Sequence, residues 1–242
     1  MIKPLTSLSD FLTVTNPSSC FVDTSILFSA SHTPDPFNTE SEKAFESINK
    51  FSIPIFTNIN VRSEFLENHR RVMIPDSLID FLEQMRDSLD ELLINKLTSH
   101  RTSYQKKLEE EKSAKFDVNQ IKKFKNLLSA NAINGWDSFC SAFLDKRLEL
   151  IWPETEKLLN LNFISVRSND HHPFLNSLPE WEQAVSLMGR YGIASNDSMI
   201  LNMFLCSKIP ILLTADLEMA EVLDKEAHKA KTVFVPDSIY NL

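Results

Sequence analysis

The sequence predicts an α/β protein: a central, mainly parallel sheet of about five strands flanked by helices, with an α-helical insertion. Three observations point there. Short apolar runs ending in polar residues alternate with helix-periodic segments, an order that calls for a parallel sheet covered on both faces. From Pro75 the pattern changes to sustained helical spacing with a charged stretch and no strand. The composition, 43% apolar and 24% charged over 242 residues, is that of an ordinary globular chain large enough to bury a core.

The elements follow in order. SCFVDTSI, residues 19–26, reads as a buried strand ending in a polar turn, followed by a loop over 32–38. Ala44, Phe45 and Ile48 give helical spacing to residues 40–51, and IPIF at 53–56 is a second strand. Asn60 is placed to cap a helix that starts near Val61, carries Glu64 and runs towards His69. Leu78, Phe81, Leu82, Met85, Leu89, Leu92 and Leu93 continue in helical register, and residues 137–150 form a further helix. FISV at 163–166 is a third strand, Trp181 to Tyr191 is helical, and Ser195 is placed to cap a helix carrying Asp197. IPILLTAD, residues 209–216, is the clearest buried strand; a helix over 217–230 and a last strand, TVFV at 232–235, complete the chain. The expected organisation is one domain in two parts, residues 1–74 and 161–242, separated by a helical insertion over 75–160.

Several function classes drop out. Only three glycines occur, and neither GxGxxG nor GxxxxGK[ST] is present, which removes the common nucleotide-binding signatures. Cys20, Cys140 and Cys206 are odd in number and far apart, with no CxxC pair, so neither a disulfide framework nor a structural zinc site is expected. That usage, with no signal-peptide h-region and no apolar stretch long enough to span a bilayer, points to a cytoplasmic protein without a membrane partner. The net charge of −8 argues against a generic nucleic-acid binder.

Two strands end in an acid, FVD at Asp23 and LLTAD at Asp216. Ligands of open parallel sheets sit outside the carboxyl ends of the strands, where two such acids can face each other. Glu64 and Asp197 lie in the first turns of helices that follow strand-end connections, so their starts fall near the same edge. Two unit charges ~4 Å apart repel by about 4 kcal/mol at an effective dielectric of ~20, and protons or a cation must relieve that. An all-oxygen ligand set without Cys or His favours Mg²⁺ or Mn²⁺ over zinc.

FVDTSILFSA, NVRSEFLENHRR, YGIASNDSMILNM and LLTADLEMAEVL resemble, in order and context, the four signature segments of PIN-domain nucleases, a family that includes the VapC-type ribonuclease toxins. The resemblance covers roughly residues 19–72 and 162–236. It implies a PIN-like, Rossmann-like sheet and Mg²⁺- or Mn²⁺-dependent endoribonuclease activity leaving a 5′-phosphate and a 3′-hydroxyl. Asp23 and Asp216 are then central metal ligands, Glu64 and Asp197 complete the site directly or through water, and Thr24, Ser25, Asn196 and Thr214 orient ligands or water. The substrate it implies is single-stranded or structured RNA. A homodimer and an inhibitory, antitoxin-like protein partner stay open. Family toxins are much shorter, so residues 75–160 depart from the pattern.

That segment carries its own signal. Between Ile94 and Asn126, eight Lys and one Arg face three Glu and one Asp, a local excess of five positive charges. Lys106, Lys107, Lys122, Lys123 and Lys125 are candidates to track an RNA backbone, with Tyr104, Phe116 and Phe124 either stacking bases or packing the arm.

Blander readings stand beside these. Asp23 also suits a turn or cap, Asp197 an early-helix acid favoured by the dipole, Glu67 is an alternative to Glu64, and Glu218 reads as a solvated helix residue. His171 and His172 read as loop residues. The lysines suit a solvated helix face, and the whole chain suits a non-catalytic RNA-binding or protein-interaction module. Phosphatase, adhesion-site and receiver alternatives are disfavoured: Ser25 stands where a dehalogenase-type phosphatase needs a second Asp, Leu27 breaks Asp-x-Ser-x-Ser, and a receiver's acidic pair and strand-end Lys are not evident.

Overall fold

The computed structural model describes residues 1–110, 112–131, 135–164, 174–226 and 231–241. The chain divides into two compact units, residues 1–65 with 155–242, and residues 66–154. In chain order the elements begin with β1 (Ile2–Pro4), α1 (Leu8–Thr15), β2 (Cys20–Val22), α2 (Thr24–Ser31), α3 (Asn38–Lys50), β3 (Ile55–Asn58) and α4 (Ile59–Met85). There follow α5 (Glu91–Glu109), α6 (Val118–Asn131), α7 (Gly135–Phe143), α8 (Asp145–Leu159) and β4 (Leu161–Ile164). The chain ends with α9 (Trp181–Tyr191), α10 (Ser195–Cys206), β5 (Ile211–Leu213), α11 (Leu217–Glu226), β6 (Thr232–Val235) and α12 (Asp237–Tyr240). No described helix is long and apolar enough to cross a membrane.

The first unit is built on one six-stranded sheet in the order β1-β6-β5-β2-β3-β4, and every neighbouring pair is parallel. The central strands are buried along their whole length: Phe21, Val22, Ile211, Leu212 and Leu213 are fully enclosed, as are Val233 to Val235. Continuous apolar runs are what a parallel sheet with two covered faces requires. The helices sort accordingly, with α1 and α2 each packed against α3, and α9 and α11 each packed against α10.

This topology places a crevice. From β1 to β2 to β3 the chain steps one way across the sheet, and from β4 to β5 to β6 it steps the other way. Right-handed crossovers send the two series of helices to opposite faces. Strand order reverses between β2 and β5, so the connections leaving these two strands diverge and open a cleft at their carboxyl ends. Val22 lies level with Leu213, so Asp23 and Thr214 emerge side by side at that cleft.

The all-parallel α/β class stands as expected, with six strands rather than about five. The added strand is β1, a three-residue edge paired to β6; Pro4 is tolerated there because an edge strand can spare a donor. The third expected strand sits earlier, at Leu161–Ile164, and residues 165–166 lie outside the described chain. The expected helix over 137–150 is two helices, α7 and α8, joined at Leu144. The helix over 217–230 is described as far as Glu226, with 227–230 outside the described residues.

One side chain anchors the C-terminus of α10. Lys231 donates to the carbonyls of Phe204 (2.8 Å), Ser207 (2.9 Å) and Ile209 (2.8 Å), and its ammonium stands 4.2 Å from the centre of the Phe204 ring. The Phe204 and Ser207 carbonyls are ones that a helix end leaves without intrahelical partners, and that of Ile209 belongs to the segment leading into β5. Burial lowers its pKa to about 8.

The described residues of the second unit form helices and no strand, and its organising feature is Pro75. A change of element at Pro75 was the expectation, but α4 runs through it as one 27-residue helix. Proline lacks the N–H that would reach the carbonyl four residues back, here that of Arg71. The backbone N–H of Phe116 supplies the missing donor at 3.0 Å, and Arg71 Nε returns a bond to the Phe116 carbonyl at 2.7 Å. The Phe116 ring is buried and stacks on Phe124 at 5.4 Å, with His100 edge-on to both. His100 Nε2 lies 2.7 Å from the Pro75 carbonyl, and burial lowers its pKa. After this extended segment a reciprocal capping pair starts α6: Asp117 N–H donates to Gln120 Oε1 and Gln120 N–H to Asp117 Oδ1, both at 2.8 Å. Ile74, Leu78, Leu82, Leu93, Leu97, Leu128 and Phe139 fill the core of this unit.

Phe116→Ala should destabilise the second unit by about 3–5 kcal/mol, the usual cost of deleting a buried ring, read from urea unfolding. A loss under about 1 kcal/mol would show that Phe116 does not hold this segment in place.

Candidate functional site

Asp23 is the centre of the cleft. It is 3% exposed and caps α2, its carboxylate accepting the N–H of Ser25 at 3.3 Å. The same oxygen, Oδ2, receives the Ser25 hydroxyl at 2.6 Å and the Thr214 hydroxyl at 2.9 Å. Ser25 Oγ in turn accepts the N–H of Ala215 at 2.8 Å, and Thr214 Oγ1 accepts the N–H of Asp216 at 3.0 Å. The ends of β2 and β5 are thus stitched by two hydroxyls that both point at one carboxylate. Burial pushes the Asp23 carboxyl up from the usual carboxylate range, opposed by hydrogen bonds from Ser25, Thr214 and the backbone of Thr24 and Ser25. Asp216 has a parallel role on the next helix, its Oδ1 accepting the N–H of Met219 at 3.0 Å as α11 begins.

Glu64 stands in the second turn of α4, half-buried. Its Oε2 receives the Thr24 hydroxyl at 3.1 Å and the Asn196 amide at 2.6 Å. Glu67, the alternative on the same helix, is bound by Arg70 through two bonds of 2.7 and 2.8 Å. The cap of α4 is Asn58, whose Oδ1 accepts the N–H of Val61 at 3.0 Å, rather than Asn60. The side chain of Asn60 instead donates to Asn196 Oδ1 at 3.0 Å. Sequence reasoning could not separate the two, because either asparagine suits a helix start. Ser195 is likewise the first residue of α10 rather than its cap, a position held by Ala194 without a side-chain bond.

Asp197, half-buried in the first turn of α10, reads out the cluster electrostatically. Its pKa rises to about 7, first through burial and then through repulsion from Asp216, Asp23, Glu64 and Glu218, in that order. All four expected acids therefore converge in the first unit, and a fifth joins them. Glu218 is exposed on the first turn of α11, as a solvated residue would be, yet it lies near enough to raise Asp197; its signal was the spacing Asp216-x-Glu218.

Among the described residues, no three His, Cys, Asp or Glu side chains are already arranged as a metal-binding group. Asp23 and Glu64 each turn an oxygen towards protein donors. The cluster nevertheless suits a hard cation in its chemistry: its acidic groups are all carboxylates, with Thr24, Ser25, Asn196 and Thr214 bonded to them.

The lysines lie in the second unit. Lys106, Lys122, Lys123 and Lys125 are exposed and Lys107 is half-buried. Lys106 pairs with Glu110 at 3.9 Å, while Lys122, Lys123 and Lys125 form no ion pair among the described residues. Of the interleaved aromatics, Phe116 and Phe124 stack on one another, and Tyr104 adjoins His100. His171 and His172 lie outside the described residues.

No protein-family model matches the chain, and no curated protein matches it.

The raised pKa of Asp197 fixes a sign. Its folded value, about 7, lies above the unfolded carboxylate value of ~3.9. The folded chain therefore holds a proton that the unfolded chain has lost, so this group's contribution to stability falls as pH climbs from about 4 to about 7. Without divalent metal, Asp197→Asn should raise the melting temperature at pH 8 and leave it unchanged at pH 3.5. An equal shift at both values would mean that charge repulsion is not the cause.

Proposed function

We propose that the chain is a PIN-like, Mg²⁺- or Mn²⁺-dependent endoribonuclease that hydrolyses RNA phosphodiester bonds. The observation that carries this reading is the convergence of Asp23, Glu64, Asp197 and Asp216 at the sheet's switch point, felt at Asp197 as a pKa near neutrality. The resemblance of the four acid-bearing segments to PIN-domain nucleases supports it.

Asp23, Asp197, Asp216 and Glu64 would hold the ion. A bound Mg²⁺ or Mn²⁺ would offset the carboxylate repulsion, lower the pKa of a coordinated water and stabilise charge on the phosphoryl group. Cation binding at Asp197 would require loss of its proton, so ion affinity would climb through neutral pH. Ser25 and Thr214 hold the Asp23 carboxylate still, and Thr24 and Asn196 do the same for Glu64. In the overall step, water oxygen bonds to phosphorus and the bond from phosphorus to the 3′ oxygen breaks. The 3′ oxygen leaves as a hydroxyl and the 5′ side keeps the phosphate. The lysines at 106, 107, 122, 123 and 125 are proposed to hold the RNA backbone.

A second reading, a non-catalytic RNA-binding or protein-interaction module on the same fold, is favoured by one observation. Asp23 and Glu64 each spend an oxygen on protein donors, Ser25 and Thr214 for the one and Thr24 and Asn196 for the other.

With Mn²⁺ or Mg²⁺ the purified chain should cleave RNA, and a chelator should stop it. Asp23→Asn and Asp216→Asn should each lower the rate at least 100-fold, on the order expected when a metal ligand set is broken, with circular dichroism unchanged. Undiminished cutting by both variants would refute the site; no cutting by the wild-type chain with either ion would favour the binding module.

Replacing Lys122, Lys123 and Lys125 with Glu should weaken RNA binding and reduce the slope of log affinity against log salt by roughly 2, at ~0.7 per lost single-strand phosphate contact. An unchanged slope would return these lysines to a solvated face.

A further inference from the structure

Asn60 lies outside the acid cluster, yet a chain of hydrogen bonds ties it to one carboxylate. Glu64 Oε2 takes two donors, the Thr24 hydroxyl at 3.1 Å and Asn196 Nδ2 at 2.6 Å. Asn196 thus turns its NH₂ group to Glu64 and its carbonyl oxygen away. That oxygen meets Asn60 Nδ2 at 3.0 Å. Asn60 has no duty as the helix cap, because Asn58 already holds the N–H of Val61.

A terminal amide has a broad, nearly two-fold torsion and turns over at small intrinsic cost. The Asn60 donor removes that freedom. If Asn196 turned over, two NH₂ groups would face each other and a carbonyl oxygen would face the Glu64 carboxylate. We infer that Asn60 is a positioning residue: it fixes the polarity of the Asn196 amide and, through it, the orientation of Glu64 in the cluster. This rests on the metal-dependent reading of the site. Asn60 acts only through Asn196 and touches no reacting atom.

The exchange Asn60→Asp tests this with opposed signs. Aspartate has nearly the same shape but only accepts, so two carboxylates compete for the Asn196 amide. By charge alone, an added acid near the cluster should tighten Mn²⁺ binding. By positioning, it should loosen binding at least ten-fold, the scale on which groups behind metal ligands act. Mn²⁺ titration calorimetry of the full chain distinguishes the two. In an Asn196→Ala background the loosening should vanish, as expected for residues acting as one unit. Unchanged or tighter Mn²⁺ binding by Asn60→Asp, or an equal loss in both backgrounds, overturns the inference. A metal-free arm stands apart from the proposed activity: the side-chain amide proton signals of Asn196 should move in Asn60→Ala, and unchanged signals overturn it as well. If the wild-type chain binds no Mn²⁺, the metal reading fails, while the amide signals still decide whether Asn60 orients Asn196.

Discussion

The first unit depends on how two central strands end together. β2 and β5 finish side by side at the point where strand order reverses; Asp23 follows β2 at once, and Asp216 lies three residues beyond β5. Carboxylates gathered there would push the strand ends apart. The opposing force is the pair of hydroxyls, Ser25 and Thr214, that both donate to Asp23 Oδ2 while each accepts a backbone N–H from the residues after β5. Such hydrogen bonds typically contribute about 0.5–1.5 kcal/mol each, and more where the acceptor is charged. They act across the crevice rather than along either strand, so one hydroxyl-carboxylate cluster aligns the switch point, caps α2 and sets where the acids face.

Much of this is written in local patterns. LLTAD and FVD are buried runs broken by a single acid, and a buried apolar run in an α/β chain has few places to go except a central strand. The acids after them follow. What is not local could not be read. β1 is three residues long, and only its pairing with β6 makes it a strand. Asn58 and Asn60 are chemically alike at a helix start, and only the position of Asn196, far along the chain, divides their roles. Glu64 and Glu67 lie a turn apart on one helix, and the choice between them turns on Thr24 and Asn196 for one and on Arg70 for the other. Glu218 looks solvated, and is, yet its charge reaches Asp197 through space.

Pro75 marks the same boundary between local and long-range information from the other side. A proline in a helix-periodic run is a sound reason to expect a break, because it removes a donor and crowds the preceding turn. Here the orphaned carbonyl of Arg71 is met by a backbone N–H from an extended segment, and the Arg71 side chain returns the favour to the same residue. The defect becomes the docking point for Phe116, whose ring joins Phe124 and His100. Two aromatic residues that stand eight positions apart in the chain are thereby stacked on one another.

Asp23 and Asp216 each serve as the N-cap of the helix that follows their strand. A carboxylate at such a place meets a partial positive charge from the helix end, so part of the cluster's negative charge is held by the backbone itself. The substitution that separates charge from architecture at these positions is therefore asparagine. It keeps an oxygen for the waiting N–H and gives up only the ionisable group, whereas alanine would take away charge and cap together and, at Asp23, the inter-strand tie as well. A change at either position that alters the charge of the cleft can thus also alter how a helix starts.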